Sequence, residues 1–519
     1  MRRVRVALFL ASILLILPMI NIVAIPQEYD LELLEENRHS STSIYDRIGL
    51  SINFQNTLFF VAKDGSSGNE LWKSDGTATG TVLVKDIMLD TSTSLGSNPW
   101  GFTIVGDELL FSADDGVHGE ELWKTDGTEA GTVMIKDINP GSDDGPNLGS
   151  GTYPVIDGTL YFSADDGVHG EELWKTDGTE AGTVMVKDIK EFEDEVGDDS
   201  WPGSITAVGT RLYFSAWISS DGRELWAHET TSGSTWQVAN INEEVVTGTS
   251  FDGSSYPDQL TVVGSTLYFH ADDGVNGKEL WKTTADGTTT MVEDIYSGSD
   301  FSYPQYLTAV GSSLYFSADD GVNGVELWRT GTDGVTYMVK NINSGSESSS
   351  PKHLTAIGNT LYFVASDGGD WDDKGLWKTD GTEAGTVLVR NNGGYGPHSP
   401  SYPLVVDNIL YIRGSEADPS SGSLYDNDGE LWKSDGTHAG TVLVKGFQKM
   451  IGPSFVEVNS KIYFEVKTLD NREELWVSDG TESGTQRVME IEDSGNGGSG
   501  NNGDIPINGE KWWKFIKNR

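Results

Sequence analysis

Beyond residue 45 the apolar residues of this chain fall in short segments of four or five residues bounded by turn residues such as Gly, Asp and Asn, and no helical period is kept there. Leu314-Tyr315-Phe316-Ser317-Ala318 and Glu326-Leu327-Trp328-Arg329 show the pattern. Adjacent apolar residues point to opposite faces of a strand, so sheets built from such runs must be covered on both sides. Within the segment Ser302 to Ile342 four strands are expected: Tyr306 to Val310 (a), Leu314 to Ala318 (b), Glu326 to Arg329 (c) and Tyr337 to Lys340 (d). Turn residues such as Gly311 and Asp319-Asp320-Gly321 separate them.

The pattern repeats. Leu-Trp recurs with Trp72, Trp123, Trp174, Trp226, Trp281, Trp328, Trp377, Trp432 and Trp476, at steps of 51, 51, 52, 55, 47, 49, 55 and 44 residues. Phe111 to Ile138 and Phe162 to Ile189 differ only at Ile135 against Val186, as after an internal duplication. A period of about 50 residues with four strands per unit fits a propeller blade, whereas a parallel β-helix needs shorter coils. The expected fold is all-β: a β-propeller of nine four-stranded blades in a single ring over residues 46–490, with eight blades and a divergent terminal unit as the alternative. Residues 27–45 read as a polar linker, and 491–519 as a Gly/Asn-rich linker with a basic aromatic tail.

The string Glu172-Leu173-Trp174-Lys175-Thr176-Asp177-Gly178-Thr179-Glu180-Ala181-Gly182-Thr183 resembles the signature of the ELWxxDGT-repeat family of secreted or surface prokaryotic proteins. The same form stands at Glu70 to Thr81, Glu121 to Thr132, Glu430 to Thr441 and Glu474 to Thr485. Other units depart: Gly375 replaces the Glu, and no Asp-Gly-Thr follows Trp226. The resemblance implies an extracellular, propeller-like array and brings no established chemistry.

Composition narrows the partners. The 519 residues carry 80 Asp plus Glu against 35 Lys plus Arg, a net charge of -45 that disfavours nucleic acid and anionic lipid. No cysteine is present, so disulfides and thiolate metal sites are excluded. Residues 1–26 start Met1-Arg2-Arg3-Val4-Arg5, continue in an apolar run and reach Ile22-Val23-Ala24, the order of a secretory signal; an uncleaved anchor is the other reading. Either exports the rest, so a secreted or cell-surface protein is expected, with no membrane span in the mature chain unless that segment stays as an anchor.

Three recurrent elements are candidates for function. Asp-Gly-Thr between strands c and d reads as a hairpin device rather than a catalytic one, because it recurs in most units. The Asp-Asp-Gly loop between strands b and c reads chiefly as turn chemistry too. The irregular acidic loops are the calcium candidates, through Asp367, Asp370, Asp372, Asp373, Asp426 and Asp428, since Ca²⁺ collects six to eight oxygens. An aromatic residue next to proline precedes strand a at Trp100, Tyr153, Trp201, Tyr256, Tyr303 and Tyr402, and Trp371 lies in an acidic loop. In an antiparallel a-b-c-d blade the b-c loops and d-a connectors share one face, so these rings and acids could form a stacking surface there. No His-Glu-x-x-His, Gly-x-x-x-x-Gly-Lys-Ser/Thr or Gly-x-Ser-x-Gly motif occurs. The expectation is therefore a non-catalytic extracellular module binding glycan or protein, calcium-assisted where the acidic loops serve. A glycoside hydrolase or lyase on the same fold, or a structural surface-layer component, are the alternatives.

Overall fold

The computed structural model describes residues 51–491 except 64–67, 90–95, 149–152, 191–198, 244–252, 369–373, 391–396, 416–428, 448 and 469–471. The chain divides into two compact units, Met1–Tyr45 and Asp46–Arg519; the first lies outside the described residues and the second holds the propeller.

Nine antiparallel sheets, each of order a-b-c-d, follow one another along the chain as the blades of a propeller. Blade 1 comprises Ser51–Phe54, Thr57–Lys63, Asn69–Ser74 and Val82–Lys85, and blade 9 comprises Lys449–Val458, Lys461–Lys467, Glu473–Ser478 and Gln486–Ile491. The remaining blades span 100–136, 146–187, 203–239, 258–293, 305–340, 352–390 and 398–446. Every Leu-Trp unit is thus one blade, and the count is nine, not eight. In blade 6 the strands are Gln305–Val310, Ser313–Asp319, Val325–Thr330 and Thr336–Lys340, each extending the expected segment by one or two residues. Blade 3 departs from the rule. Its inner strand is reduced to Val155–Ile156, and Pro146–Asn147 pairs separately with the far end of strand b. Among the described residues no helix is long and apolar enough to cross a membrane.

The core lies between blades. Leu314 and Phe316 of blade 6 pack with Leu280 and Ile295 of blade 5, whereas Tyr315 and Leu327 pack with Leu361 and Phe363 of blade 7. Alternation along a strand therefore feeds two cores, which is why the apolar runs show no polar face. Full burial of a side chain such as Phe316 contributes roughly 2 to 3 kcal/mol. Strands a of neighbouring blades, for example those of blades 4, 5 and 6, approach one another, so strand a is the innermost.

The turn between strands c and d behaves as its sequence suggests. The Asp126 Oδ1 accepts hydrogen bonds from Thr128 N (2.8 Å) and Thr128 Oγ1 (2.7 Å), and Gly127 takes φ 89°. Thr125 and Thr132 close its base at 2.7 Å through their hydroxyls. The b-c loop is equally self-contained: Asp115 Oδ1 accepts from Val117 N and His118 N, both at 2.9 Å, and its Oδ2 meets His118 Nδ1 at 2.8 Å. Both elements consume their carboxylates in holding the turn.

Candidate functional site: the face of the b-c loops and d-a connectors

The glutamate of Glu-Leu-Trp pins this face from inside. Glu224 accepts from Ile241 N (2.9 Å), Ser255 N (3.0 Å) and Ser255 Oγ (2.6 Å), and Glu279 does the same with Ile295 and Ser302 at 3.0, 3.0 and 2.6 Å. Glu70 and Glu326 bind Ser97 and Ser349 in the same way, and Glu172 takes Ser200 Oγ at 2.7 Å. Each serine is in the connector leading to the next blade, so the buried carboxylate fixes where strand a begins. Burial pushes Glu70, Glu121, Glu172, Glu224 and Glu279 up to about 7, against the pull of these hydrogen bonds.

The residue after each pinned serine has left-handed backbone: Asn98, Trp201, Tyr256, Tyr303 and Ser350, with φ between 44° and 48°. Three residues on lies a second left-handed position, occupied by Gly101, Ser204, Gln259, Tyr306 and His353. Bulky side chains are rarely found there, so their appearance in consecutive blades is a built feature. The sequence reading merged the two positions because a proline can follow either. Ser401 pairs with Arg413 as Lys352 pairs with Val364, which makes Tyr402 the counterpart of His353 and not of Tyr303. Their rings lie 5.7 Å apart.

Of the expected stacking residues, Trp201, Tyr256, Tyr303 and Tyr402 are exposed on this face, as is Tyr306, which was not foreseen. Trp100 is half-buried at the start of strand a in blade 2, two residues beyond the left-handed position. Tyr153 is not a surface ring: it packs against two interblade cores and its hydroxyl donates to Asn147 O at 3.0 Å. Trp371, Asp370, Asp372, Asp373, Asp426 and Asp428 lie outside the described residues, and Asp367 is an exposed residue just after strand b of blade 7. Among the described residues no group of three or more His, Asp or Glu side chains is placed to hold a metal ion. The repeat tryptophans sit in strand c and are buried or half-buried between blades.

Beneath the rings the structure assembles titratable groups that sequence reasoning missed. In blade 2, Glu120 accepts from Ser112 Oγ at 2.6 Å; burial, with Asp144 and Asp114 nearby, pushes it up to about 8. In blade 3, Glu171 Oε1 accepts from Ser163 Oγ (2.7 Å) and Asn147 Nδ2 (2.9 Å). In blade 4, Arg223 donates to Trp201 O (2.9 Å) and Ser215 Oγ (3.2 Å), with the charges of Glu171 and Asp258 close by. In blade 5, His270 Nδ1 donates to Pro304 O at 2.9 Å, and burial lowers the pKa of both His270 and Lys278, opposed at each by Asp258. Asp258 itself accepts from Ser204 Oγ at 2.5 Å. Glu120, Glu171, Arg223 and Lys278 are one structural position, immediately before the repeat glutamate. The available signal was a site that changes charge from unit to unit inside an otherwise constant motif.

No family model and no curated protein matches the chain. Among solved structures, it is similar to puromycin hydrolase, at 12% identity and a TM-score of 0.35 over 74% of this chain and 61% of that one. A puromycin-hydrolysing peptidase of Mycobacterium tuberculosis gives 10%, 0.37, 72% and 59%. The propeller domain of the Trilobed protease from Pyrococcus furiosus gives 11%, 0.33, 64% and 95%. The chain therefore spans about three-fifths of the puromycin-hydrolysing chains. These are hydrolases and proteases, so the expectation of a non-catalytic glycan- or protein-binding module, and the exclusion of catalysis with it, is corrected. The physical reason for the error is that a motif scan finds only local signatures, whereas the burial-shifted groups Glu120, Arg223, His270 and Lys278 come from blades 2, 4 and 5. At such low identity the likeness assigns no residue a role.

Proposed function

We propose that the protein is a hydrolase that takes a peptide-like chain across the face of blades 2 to 5, and that it acts outside the cell. The carrying observation is the set of burial-shifted groups Glu120, Arg223, His270 and Lys278 on blades 2, 4 and 5, with the charges of Glu171 and Asp258 acting on Arg223 and that of Asp258 on His270 and Lys278, beside exposed aromatic rings. Groups whose proton affinity is shifted by burial are what acid-base chemistry requires. Glu120 remains protonated at neutral pH and supplies a proton donor. Arg223 and Lys278 suit a substrate carboxylate, Glu171 suits an ammonium, and Trp201, Tyr256 and Tyr303 offer stacking surface. A peptide carries all three kinds of group. Support for export comes from the basic start, the apolar run and Ile22-Val23-Ala24, and from the resemblance to ELWxxDGT-repeat proteins.

The test is turnover of a defined peptide library by the full chain, followed by mass spectrometry, with a polysaccharide panel alongside. Cleavage of peptides that drops at least about a hundredfold in Glu120→Gln is the expected result. No cleavage of any peptide, or undiminished cleavage by the variant, contradicts the reading.

A further inference from the structure

Neighbouring blades are fastened by a repeated cationic latch. A cation at the end of strand d reaches into the next blade and donates to the carbonyl of the threonine closing its c-d turn: Lys85 to Thr132 (2.7 Å), Lys136 to Thr183 (2.8 Å), Lys340 to Thr386 (3.0 Å), Arg390 to Thr441 (2.6 Å) and Lys445 to Thr485 (3.1 Å). The same cation lies over the next blade's repeat tryptophan, as Lys85 over Trp123 at 5.8 Å and Lys445 over Trp476 at 5.1 Å. A second lysine, following the tryptophan in strand c, adds a bond to the turn glycine: Lys73 to Gly127, Lys378 to Gly436 and Lys433 to Gly480, each at 2.8 Å.

Both latches are lost where the ring closes. Met489 pairs with Leu475 as Lys445 pairs with Leu431, so methionine stands where the strand d cation belongs. Val477 follows Trp476 where the strand c lysine belongs. Arg487, two residues before Met489, turns back to Glu474 of its own blade at 2.8 Å. What remains is an apolar face, in which Trp72, Phe60 and Leu58 of blade 1 pack with Met489, Val477 and Val458 of blade 9, and a bond from Asn459 Nδ2 to Asn56 O at 3.1 Å. Ala239 and Glu293 also replace the strand d cation, at the junctions of blade 4 with 5 and 5 with 6. There the chain runs on into the next blade, and inner strands are tied by Ser204 to Asp258 (2.5 Å) and by Thr261 Oγ1 to Leu307 O (3.2 Å). Blades 9 and 1 share no strand, so their junction alone lacks both the latch and direct chain continuity.

We propose that the ring opens laterally between blades 9 and 1, the two parting along this apolar face while each keeps its own four-stranded pairing. An apolar contact crossed by a solvent-exposed hydrogen bond such as Asn459 to Asn56 parts and re-forms without leaving that donor and acceptor buried and unpaired. The inference does not depend on the hydrolase reading.

The chain has no cysteine, so single cysteines report opening directly. Ala62 lies in the core between blades 9 and 1 and Ala365, at the same strand position, in the core between blades 6 and 7; both are buried. Maleimide labelling of folded Ala62→Cys is expected to run at least about tenfold faster than that of Ala365→Cys, whereas global unfolding would label both alike. Met489→Lys in the Ala62→Cys protein should slow its labelling. Lys340→Met in the Ala365→Cys protein should speed it, and that arm decides should the buried lysine prevent folding. Equal rates for the two cysteines, or no response to removing Lys340, overturn the proposal.

Discussion

The glutamate of Glu-Leu-Trp shows how much one residue can fix. Its carboxylate meets the backbone of the strand d exit and a serine of the next connector, so truncation strands several buried donors. Glu224→Ala should cost about 2 to 4 kcal/mol in urea denaturation, with Ile241 N, Ser255 N and Ser255 Oγ left without their acceptor. The same group makes a pH prediction. Burial raises the folded-state value from 4.5 to about 7 at Glu70, Glu121, Glu172, Glu224 and Glu279. An acid raised on folding stabilises fully below its unfolded value and loses that contribution as pH climbs through the folded one. The melting temperature should therefore fall from about pH 5 to about pH 8; a rise over that interval would contradict the burial argument. The motif marked this glutamate from sequence, but its task was hidden because Ser255 lies 31 residues away, across a connector of irregular length. The Asp-Gly-Thr turn was readable for the opposite reason: its partners lie within four residues.

At the scale of the strand, periodicity carried most of the information. Leu-Tyr-Phe and Leu-Trp runs declare strands covered on both faces, and the observed cores divide alternate residues between two neighbours. What periodicity does not contain is register. Strands c and d slip by one residue between Leu and Trp in blade after blade, as at Leu122/Trp123 and Leu327/Trp328, and strand a bulges against b. Those slips decide that Tyr402 matches His353. The lysine latches were equally invisible, since donor and acceptor come from different units. Lys340→Met removes a charge-assisted bond and a ring contact, and should lower stability by about 1 to 3 kcal/mol. Ala239→Met, at a position without a latch, should change it by much less. Chemical denaturation of the pair distinguishes the two; equal losses would mean that strand d contributes by packing alone.

For the whole molecule, nine tandem units sufficed to foresee the ring, because each blade needs both neighbours to cover its faces. Function was harder to see. Four of the groups proposed here, Glu120, Glu171, Arg223 and Lys278, stand at the position preceding the repeat glutamate, one in each of blades 2 to 5, and no single unit of the sequence holds them together. A net charge of -45 adds self-repulsion over the whole ring, so added sodium chloride should raise the melting temperature by screening it. The central claim, proton donation by Glu120, is tested most directly by the pH dependence of kcat/KM on a cleaved peptide. With Glu120 held up to about 8 by burial, activity should fall tenfold per pH unit above that point, and the limb should vanish in Glu120→Gln. A profile that stays level through pH 9, or a limb that survives the substitution, would contradict the account.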